Sequence, residues 1–315
     1  MKEDGILLVS VFVVTYNQEK YIRQCLDSIL MQKVDFDYEV VIGEDHGTDG
    51  TRAICEEYAA KYPQIRLLPL TKNLGVAGNW KRVLGECKGK YVAMCEGDDY
   101  WTDSLKLQKQ VDFFRNDTSK EYIMNFHDVS VIDDDGRIIE DSKTEGGVAC
   151  ADKTSEELIT GVHPSTQTVF FRADHLPKIL SKMKSYHWNN NDAVLFSLLG
   201  RYGKGKFLPE VGNSVWRIHG HSVWSSASNI VKGINLFHTF TFLQKANNDY
   251  KSFFYTRRVP LSNLILQESI RKRMLCQATK FYFITCGLFI KNCDFKGLWN
   301  IQKGVVYNLI HKADE

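Results

Sequence analysis

Residues 91–99 read Tyr91-Val92-Ala93-Met94-Cys95-Glu96-Gly97-Asp98-Asp99. A run of residues suited to a buried strand passes directly into three carboxylates within four positions. Carboxylates crowded at a strand end repel one another unless a hard cation or a metal-bound diphosphate sits among them. An isolated Gly-Asp-Asp is more often a solvated acidic turn, so the flanking sequence has to decide between the two.

Upstream, residues 6–14 (Ile-Leu-Leu-Val-Ser-Val-Phe-Val-Val) form the nearly continuous apolar run of a parallel strand covered on both faces. Thr15-Tyr16-Asn17 ends it, with Asn17 expected as a helix N-cap. Tyr21, Ile22, Cys25, Leu26, Ile29 and Leu30 then recur at helical spacing. A second strand, Tyr38 to Gly43, leads into Glu44-Asp45-His46-Gly47-Thr48-Asp49-Gly50-Thr51, and the helix that follows stops at Pro63. A third strand, Ile65 to Leu70, precedes Asn73-Leu74-Gly75, and a helix through Trp80, Val83 and Leu84 carries the chain to Tyr91. Strand alternating with helix four times predicts an α/β fold with a mostly parallel open sheet and flanking helices. Ligands of such sheets bind beyond the carboxyl ends of the strands. Thr15-Tyr16-Asn17, Glu44-Asp45 and Glu96 to Asp99 are therefore expected to converge on one crevice.

Composition narrows the class. With 315 residues, 43% hydrophobic and 25% charged, the chain can bury a sizeable core, and a net charge of +2 gives no global argument for nucleic acid. The eight cysteines lack any C-x-x-C pair, which argues against a zinc site or disulfide framework. No cleavage pattern follows the N-terminus, and the longest apolar stretch, Phe281 to Ile290, is too short to span a bilayer, so a cytoplasmic protein is expected. Neither G-x-G-x-x-G after the first strand nor G-x-x-x-x-G-K-[ST] occurs. Phosphate would then be held by side chains and a cation, for which Mg²⁺ or Mn²⁺ suits oxygen ligands.

Taken together, Val14-Thr15-Tyr16-Asn17, Glu44 to Thr51, Asn73-Leu74-Gly75 and Glu96 to Asp99 resemble, in order and spacing, family 2 glycosyltransferases of the GT-A fold, over about residues 6 to 225. The resemblance implies a nucleotide-sugar donor whose phosphates share a divalent cation, Mn²⁺ or Mg²⁺, with the protein. It matches Asp45 to the carboxylate that contacts the base, whereas Glu44 and His46 depart from the family's Asp-Asp-Gly pattern. Asp99 is expected as the direct metal ligand, with Asp98 on the ribose or sugar and also counted with the metal. Thr15, Tyr16, Asn17, Glu44, Asp45, Asn73, Asp98 and Arg217 are expected on the donor side.

In the second half, Asp192 precedes the apolar run Ala193 to Leu199. By itself this reads as an acidic residue at a helix start. The resemblance implies that it is the general base of an inverting transfer. It also implies that His219, two residues beyond Arg217 on the same strand face, reaches the diphosphate or metal, that Gly220 to Ser225 closes over the donor, and that His221 is a weaker ligand. Asp133-Asp134-Asp135-Gly136 is expected as a hairpin turn, and His127-Asp128 as a strand terminus. Trp101 fits a sugar platform or the core equally, and His163 to Thr166 precede a strand from Gln167 to Phe171.

Residues 1–225 are thus expected as the catalytic domain and 226–315 as a helical C-terminal region. Arg271-Lys272-Arg273, the apolar run from Phe281 and Lys291 suit a basic amphipathic element on the inner face of a membrane, as a lipid-linked saccharide acceptor would require. Helices packed on the catalytic domain or on a second subunit of a homo-oligomer are the competing reading. Two other functions share the acidic sheet: a sugar-phosphate nucleotidyltransferase, which would show a Gly-rich basic loop behind the first strand, and a non-catalytic carbohydrate-binding protein.

Overall fold

The computed structural model of the protein describes residues 7–69, 72–142, 150–220, 222, 226–291, 297, 299–301 and 305. The first half runs β1 (Val9–Thr15), α1 (Ile22–Leu30), β2 (Tyr38–Glu44), α2 (Thr51–Lys61), β3 (Ile65–Leu67), α3 (Gly75–Glu86), β4 (Tyr91–Glu96), β5 (Tyr100–Trp101) and α4 (Lys106–Asn116). It continues through β6 (Tyr122–Phe126), β7 (Val129–Ile132), β8 (Ile138–Glu140), α5 (Ser155–Thr160), β9 (Phe170–Arg172), α6 (Leu176–Met183), α7 (Asn191–Leu199), β10 (Lys204–Phe207) and β11 (Ser214–Arg217).

Every residue of β1 is buried, because helices cover both faces of the strand. Val9, Val11 and Val13 join Cys25, Leu26 and Ile29 of α1 in the core, while Phe12, on the opposite face, packs on Trp80 of α3 with ring centroids 4.8 Å apart. Ser10 is tolerated inside because its hydroxyl donates to Glu39 (2.7 Å) and accepts from the backbone N–H groups of Lys88 and Gly89.

The strands form a seven-stranded sheet in the order β10-β6-β9-β4-β1-β2-β3. β3, β2, β1 and β4 are parallel, as the alternation of elements predicts. Two features differ. β9 is antiparallel to both β4 and β6 and shorter than expected, with residues 166–168 taking a 3-10 turn ahead of it. A second, four-stranded sheet, β5-β11-β7-β8, stands beside the first. Its short strands come from distant parts of the chain, and β11 pairs in parallel with β7 and antiparallel with β5.

The described residues divide into two compact units, Met1–Ser225 and Ser226–Glu315. The second contains α8 (Asn229–Ala246), α9 (Lys251–Arg271) and α10 (Leu275–Lys291) around Phe237, Ile265, Leu266 and Phe281. Among the described residues no helix is long and apolar enough to cross a membrane.

Candidate functional site

The parallel register brings the polar clusters together. Thr15 pairs with Glu44 across β1 and β2, and Val14 pairs with Glu96 across β1 and β4, so the three strands end side by side. The close approach depends on Gly97: a Cβ there would lie 2.7 Å from Thr15 Cβ and 2.6 Å from Gln18 Oε1.

On the β2 side, the backbone N–H of Asp45 donates to the Thr15 carbonyl (3.0 Å). Asp45 Oδ1 accepts from Leu74 N (2.8 Å), and Asn73 Nδ2 donates to the Asp45 carbonyl (2.7 Å). Asn73 thereby holds the turn around Asp45. Burial pushes the Asp45 carboxyl above its usual range, opposed by the Leu74 N–H bond. Tyr16 is exposed.

Two sequence expectations change here. Asn17 does not cap α1, whose preceding residue is Tyr21 and which has no side-chain cap. Asn17 instead takes φ +52° and accepts from Thr48 N (2.7 Å), joining the loop after β1 to the loop after β2. Glu44 is fully buried and turned into the protein: Oε1 accepts from Gly47 N (2.5 Å), and Oε2 lies 3.7 Å from Arg52 Nη1. Its longer side chain reaches the turn backbone and so supports the turn.

At the end of β4, Asp98 Oδ2 and His219 Nε2 lie 2.9 Å apart. Asp99 is buried, and its Oδ1 accepts from the backbone N–H of Arg217 (2.9 Å). Asp99, expected as the direct ligand, thus has one carboxylate oxygen on β11, while the Asp98 carboxylate meets His219. Arg217, expected on the donor side, hydrogen-bonds three groups of the protein with its guanidinium. Its Nε donates to the Asp98 carbonyl (3.2 Å), Nη2 to Gln24 Oε1 (2.7 Å) and Nη1 to the Asp133 carbonyl (3.5 Å), so the whole guanidinium braces the protein.

Asp192 occupies the first turn of α7, behind Asn190, and is half-buried. Burial raises its pKa, opposed by the Ala193 N–H. The loop before it is tied to α3 by Lys81 Nζ, which donates to the Tyr186 carbonyl (2.9 Å). Glu96 links the two regions. Burial, then the charges of Asp98 and Asp192, push the Glu96 carboxyl up to about 8, with a Trp80 hydrogen bond opposing them. Asp98 and Asp192 thus both lie within electrostatic reach of one buried carboxylate.

A divalent cation fits this donor set. Crowded carboxylates gain from a positive charge among them, and Asp98 and His219 bring an oxygen and a nitrogen within 2.9 Å of each other. Among the described residues no three His, Cys, Asp or Glu side chains gather as a metal set. The protein would supply few ligands, leaving positions for phosphate oxygens and water, as is usual for Mg²⁺.

The remaining motifs are structural. Trp101 is buried and its indole N–H donates to the Gln167 carbonyl (3.0 Å), so it belongs to the core and is no sugar platform. His127 is buried at the end of β6, bonded to the Asp128 carbonyl (2.9 Å). His163 bonds the Leu158 carbonyl (2.8 Å), and burial pushes its pKa down to about 4. Residues 133–136 make the expected hairpin turn between β7 and β8, with Gly136 at φ +83°. His221 and residues 223–225 of the expected donor loop lie outside the described residues. Tyr21 and Trp80 read in sequence as ordinary helix positions and Gln24 carries no signal, yet they contact Arg217, His219 or Glu96.

A sequence profile for glycosyl transferase family 2 matches residues 10–171, from β1 through β9. The chain belongs to glycosyl transferase family 2. An uncharacterised relative from Mycobacterium tuberculosis, Rv1520, is 38% identical over 224 residues, 70% of this chain and 61% of that protein. The match therefore spans less than two thirds of that relative's length. Among solved structures, S. aureus TarS 1–349 in complex with UDP-GlcNAc superposes with a TM-score of 0.57 at 18% identity, covering 96% of this chain and 92% of that one. The mannosyltransferase PcManGT from Pyrobaculum calidifontis, in complex with GDP-Man and Mn²⁺, gives 0.53 at 16% identity over 98% and 89%. The fold is the GT-A α/β architecture with a helical C-terminal part, as the resemblance implies.

Proposed function

We propose that this chain transfers a sugar, with inversion, from a nucleoside-diphosphate sugar to a hydroxyl of a saccharide or lipid-linked saccharide, as in bacterial-type surface polysaccharide assembly. A UDP-sugar is the first choice of donor. The observation that carries the reading is the meeting of Asp98 and His219 at the end of β4, within electrostatic reach of Glu96, which also feels Asp192 at the start of α7, on the same sheet edge as the Asp45 turn. TarS with UDP-GlcNAc and PcManGT with GDP-Man and Mn²⁺ support the donor class and the cation.

In this reading Asp45, with Tyr16 exposed beside it, receives the base, and Asn73 keeps that turn in place. Asp98 and His219 hold the cation, and Asp99 and Arg217 hold Asp98 through the β11 backbone. Held there by Asp98 and His219, Mn²⁺ or Mg²⁺ would supply positive charge to the leaving nucleoside diphosphate. Asp192 takes the proton of the acceptor hydroxyl on a carboxylate oxygen as the acceptor oxygen bonds the anomeric carbon. The bond from that carbon to the phosphate oxygen breaks on the opposite face, which inverts configuration. With Mn²⁺, incubation with UDP-GlcNAc, UDP-glucose and GDP-mannose is expected to release nucleoside diphosphate from at least one donor, and EDTA to stop it. Release from none, or pyrophosphate from a nucleoside triphosphate plus a sugar phosphate, would overturn the reading.

We also propose that the helical C-terminal region rests on the inner face of an anionic membrane. Residues 269–293 contain Arg271, Lys272, Arg273, Lys280 and Lys291 and no Asp or Glu. Lys280, Phe283 (68% exposed) and Ile290 (57%) share the outward stripe of α10. Cations beside exposed apolar side chains match anionic headgroups over acyl chains. The full chain is expected to float with phosphatidylglycerol vesicles and not with phosphatidylcholine vesicles, and Phe283→Ser with Ile290→Ser to abolish flotation. Equal recovery with both vesicles, or a stable dimer lost in the same double variant, would assign the stripe elsewhere.

A further inference from the structure

The ring of Tyr21 lies against two members of the site. Its centroid is 4.8 Å from that of the His219 imidazole, and the Arg217 guanidinium carbon sits 4.9 Å from the same ring. Arg217 and His219 reach Asp98 by different atoms, one at the carbonyl and one at the carboxylate. One aromatic face thus backs both groups that fix Asp98. Tyr21 is itself held from outside: its hydroxyl donates to Asp134 Oδ1, and Lys20 Nζ reaches the same oxygen at 2.8 Å. Asp134 belongs to the β7–β8 turn, whose Asp133 carbonyl accepts from Arg217. Gln24, one turn further along the chain at α1, takes Arg217 Nη2. Residues 113 positions apart in sequence therefore close a ring of contacts behind the Asp98–His219 pair.

We infer that Tyr21 is a positioning residue, latched by Asp134, that orients His219 and Arg217 so that Asp98 and His219 converge on one cation. This rests on the proposed reading of the site and extends it to residues that touch neither donor nor acceptor. Helix α1 carries no side-chain cap at Tyr21, so this residue does not serve the helix end by capping it. Two open pockets, ≈ 480 and ≈ 360 Å³, are both lined by Lys20, Tyr21 and Asp134, which puts the latch at the surface while the ring stays buried against His219.

The test is the apparent affinity for Mn²⁺ in the presence of saturating UDP, measured by calorimetry on the full chain. Partners that orient a metal ligand are typically worth about 10–100-fold in metal affinity. Tyr21→Leu, which removes the ring, is expected to weaken Mn²⁺ by about tenfold or more. Tyr21→Phe and Asp134→Ala, which keep the ring and release the latch, are expected to weaken it by about threefold, below that range because the ring that backs His219 stays in place. A residue serving stability alone would lower Tm and leave Mn²⁺ affinity of the folded protein unchanged, and that result overturns the inference. If Tyr21→Leu does not fold, the two latch variants decide, and unchanged affinity in both overturns it. Asp98→Ala is the control: if it binds Mn²⁺ with UDP as the wild type does, the site reading itself fails, whereas loss there with no effect at Tyr21 or Asp134 removes only the latch.

Discussion

Asp192→Asn is expected to lower kcat for sugar transfer by about 10³-fold while leaving the donor Kd within about twofold, since a positioned general base contributes roughly 10²–10⁴. The substitution keeps the size of the side chain, and Asn is as acceptable as Asp near a helix start, so α7 should form unchanged. What disappears is the ability of a half-buried carboxylate to accept a proton. Burial raises the Asp192 pKa. The working base is the ionised form, so activity should fall as pH drops through a midpoint above the ordinary carboxylate range. That acid limb should vanish from the residual activity of the variant. Pre-steady-state turnover and donor titration on one preparation check both parts. Full turnover in Asp192→Asn would remove it from the chemistry, whatever the pH profile shows.

Asp98→Ala is the second large effect. It is expected to weaken cation-dependent UDP binding by at least about 100-fold, above the range for residues that merely orient a ligand. A cation's transition-state stabilisation is worth several kcal/mol, and each ~1.4 kcal/mol is tenfold in rate, so transfer should fall by about 10³-fold. Asp99→Ala should behave differently. It removes the acceptor for the Arg217 N–H, leaving a buried donor unpaired at a cost of about 1–3 kcal/mol in stability. Cation binding should survive in its folded fraction. If Asp99→Ala abolishes Mn²⁺ binding in a fully folded protein and Asp98→Ala does not, the roles are reversed.

The parallel half of the fold was legible because β1 is apolar on both faces and the strands that flank it end in polar residues at matching heights. β9 was legible only in part: a strand was expected over Gln167 to Phe171, but residues 166–168 form a 3-10 turn, and its antiparallel direction follows from partners on β4 and β6. The second sheet escaped because β5 is two residues long and pairs with β11, more than a hundred positions away. Within the site, the resemblance implied Asp45, Asp98, Asp192 and His219, which are polar groups at element ends. Spacing could not show how shared atoms are allotted. Asn17 fits a cap in sequence but is taken by Thr48 N, Glu44 by Gly47 N, and the Arg217 guanidinium by Gln24 and two carbonyls. Tyr21 sits on the apolar spacing of α1, so its role against His219, 198 positions later, depends wholly on the fold.

Electron spin-echo spectroscopy of Mn²⁺ with the full chain tests the central claim most directly. With UDP present, the bound metal is expected to show coupling to both ³¹P and one imidazole ¹⁴N, the nitrogen signal vanishing in His219→Ala and the bound metal itself in Asp98→Ala. Mn²⁺ that binds without UDP and shows no phosphorus coupling when UDP is added, or that is retained unchanged in Asp98→Ala, would contradict it.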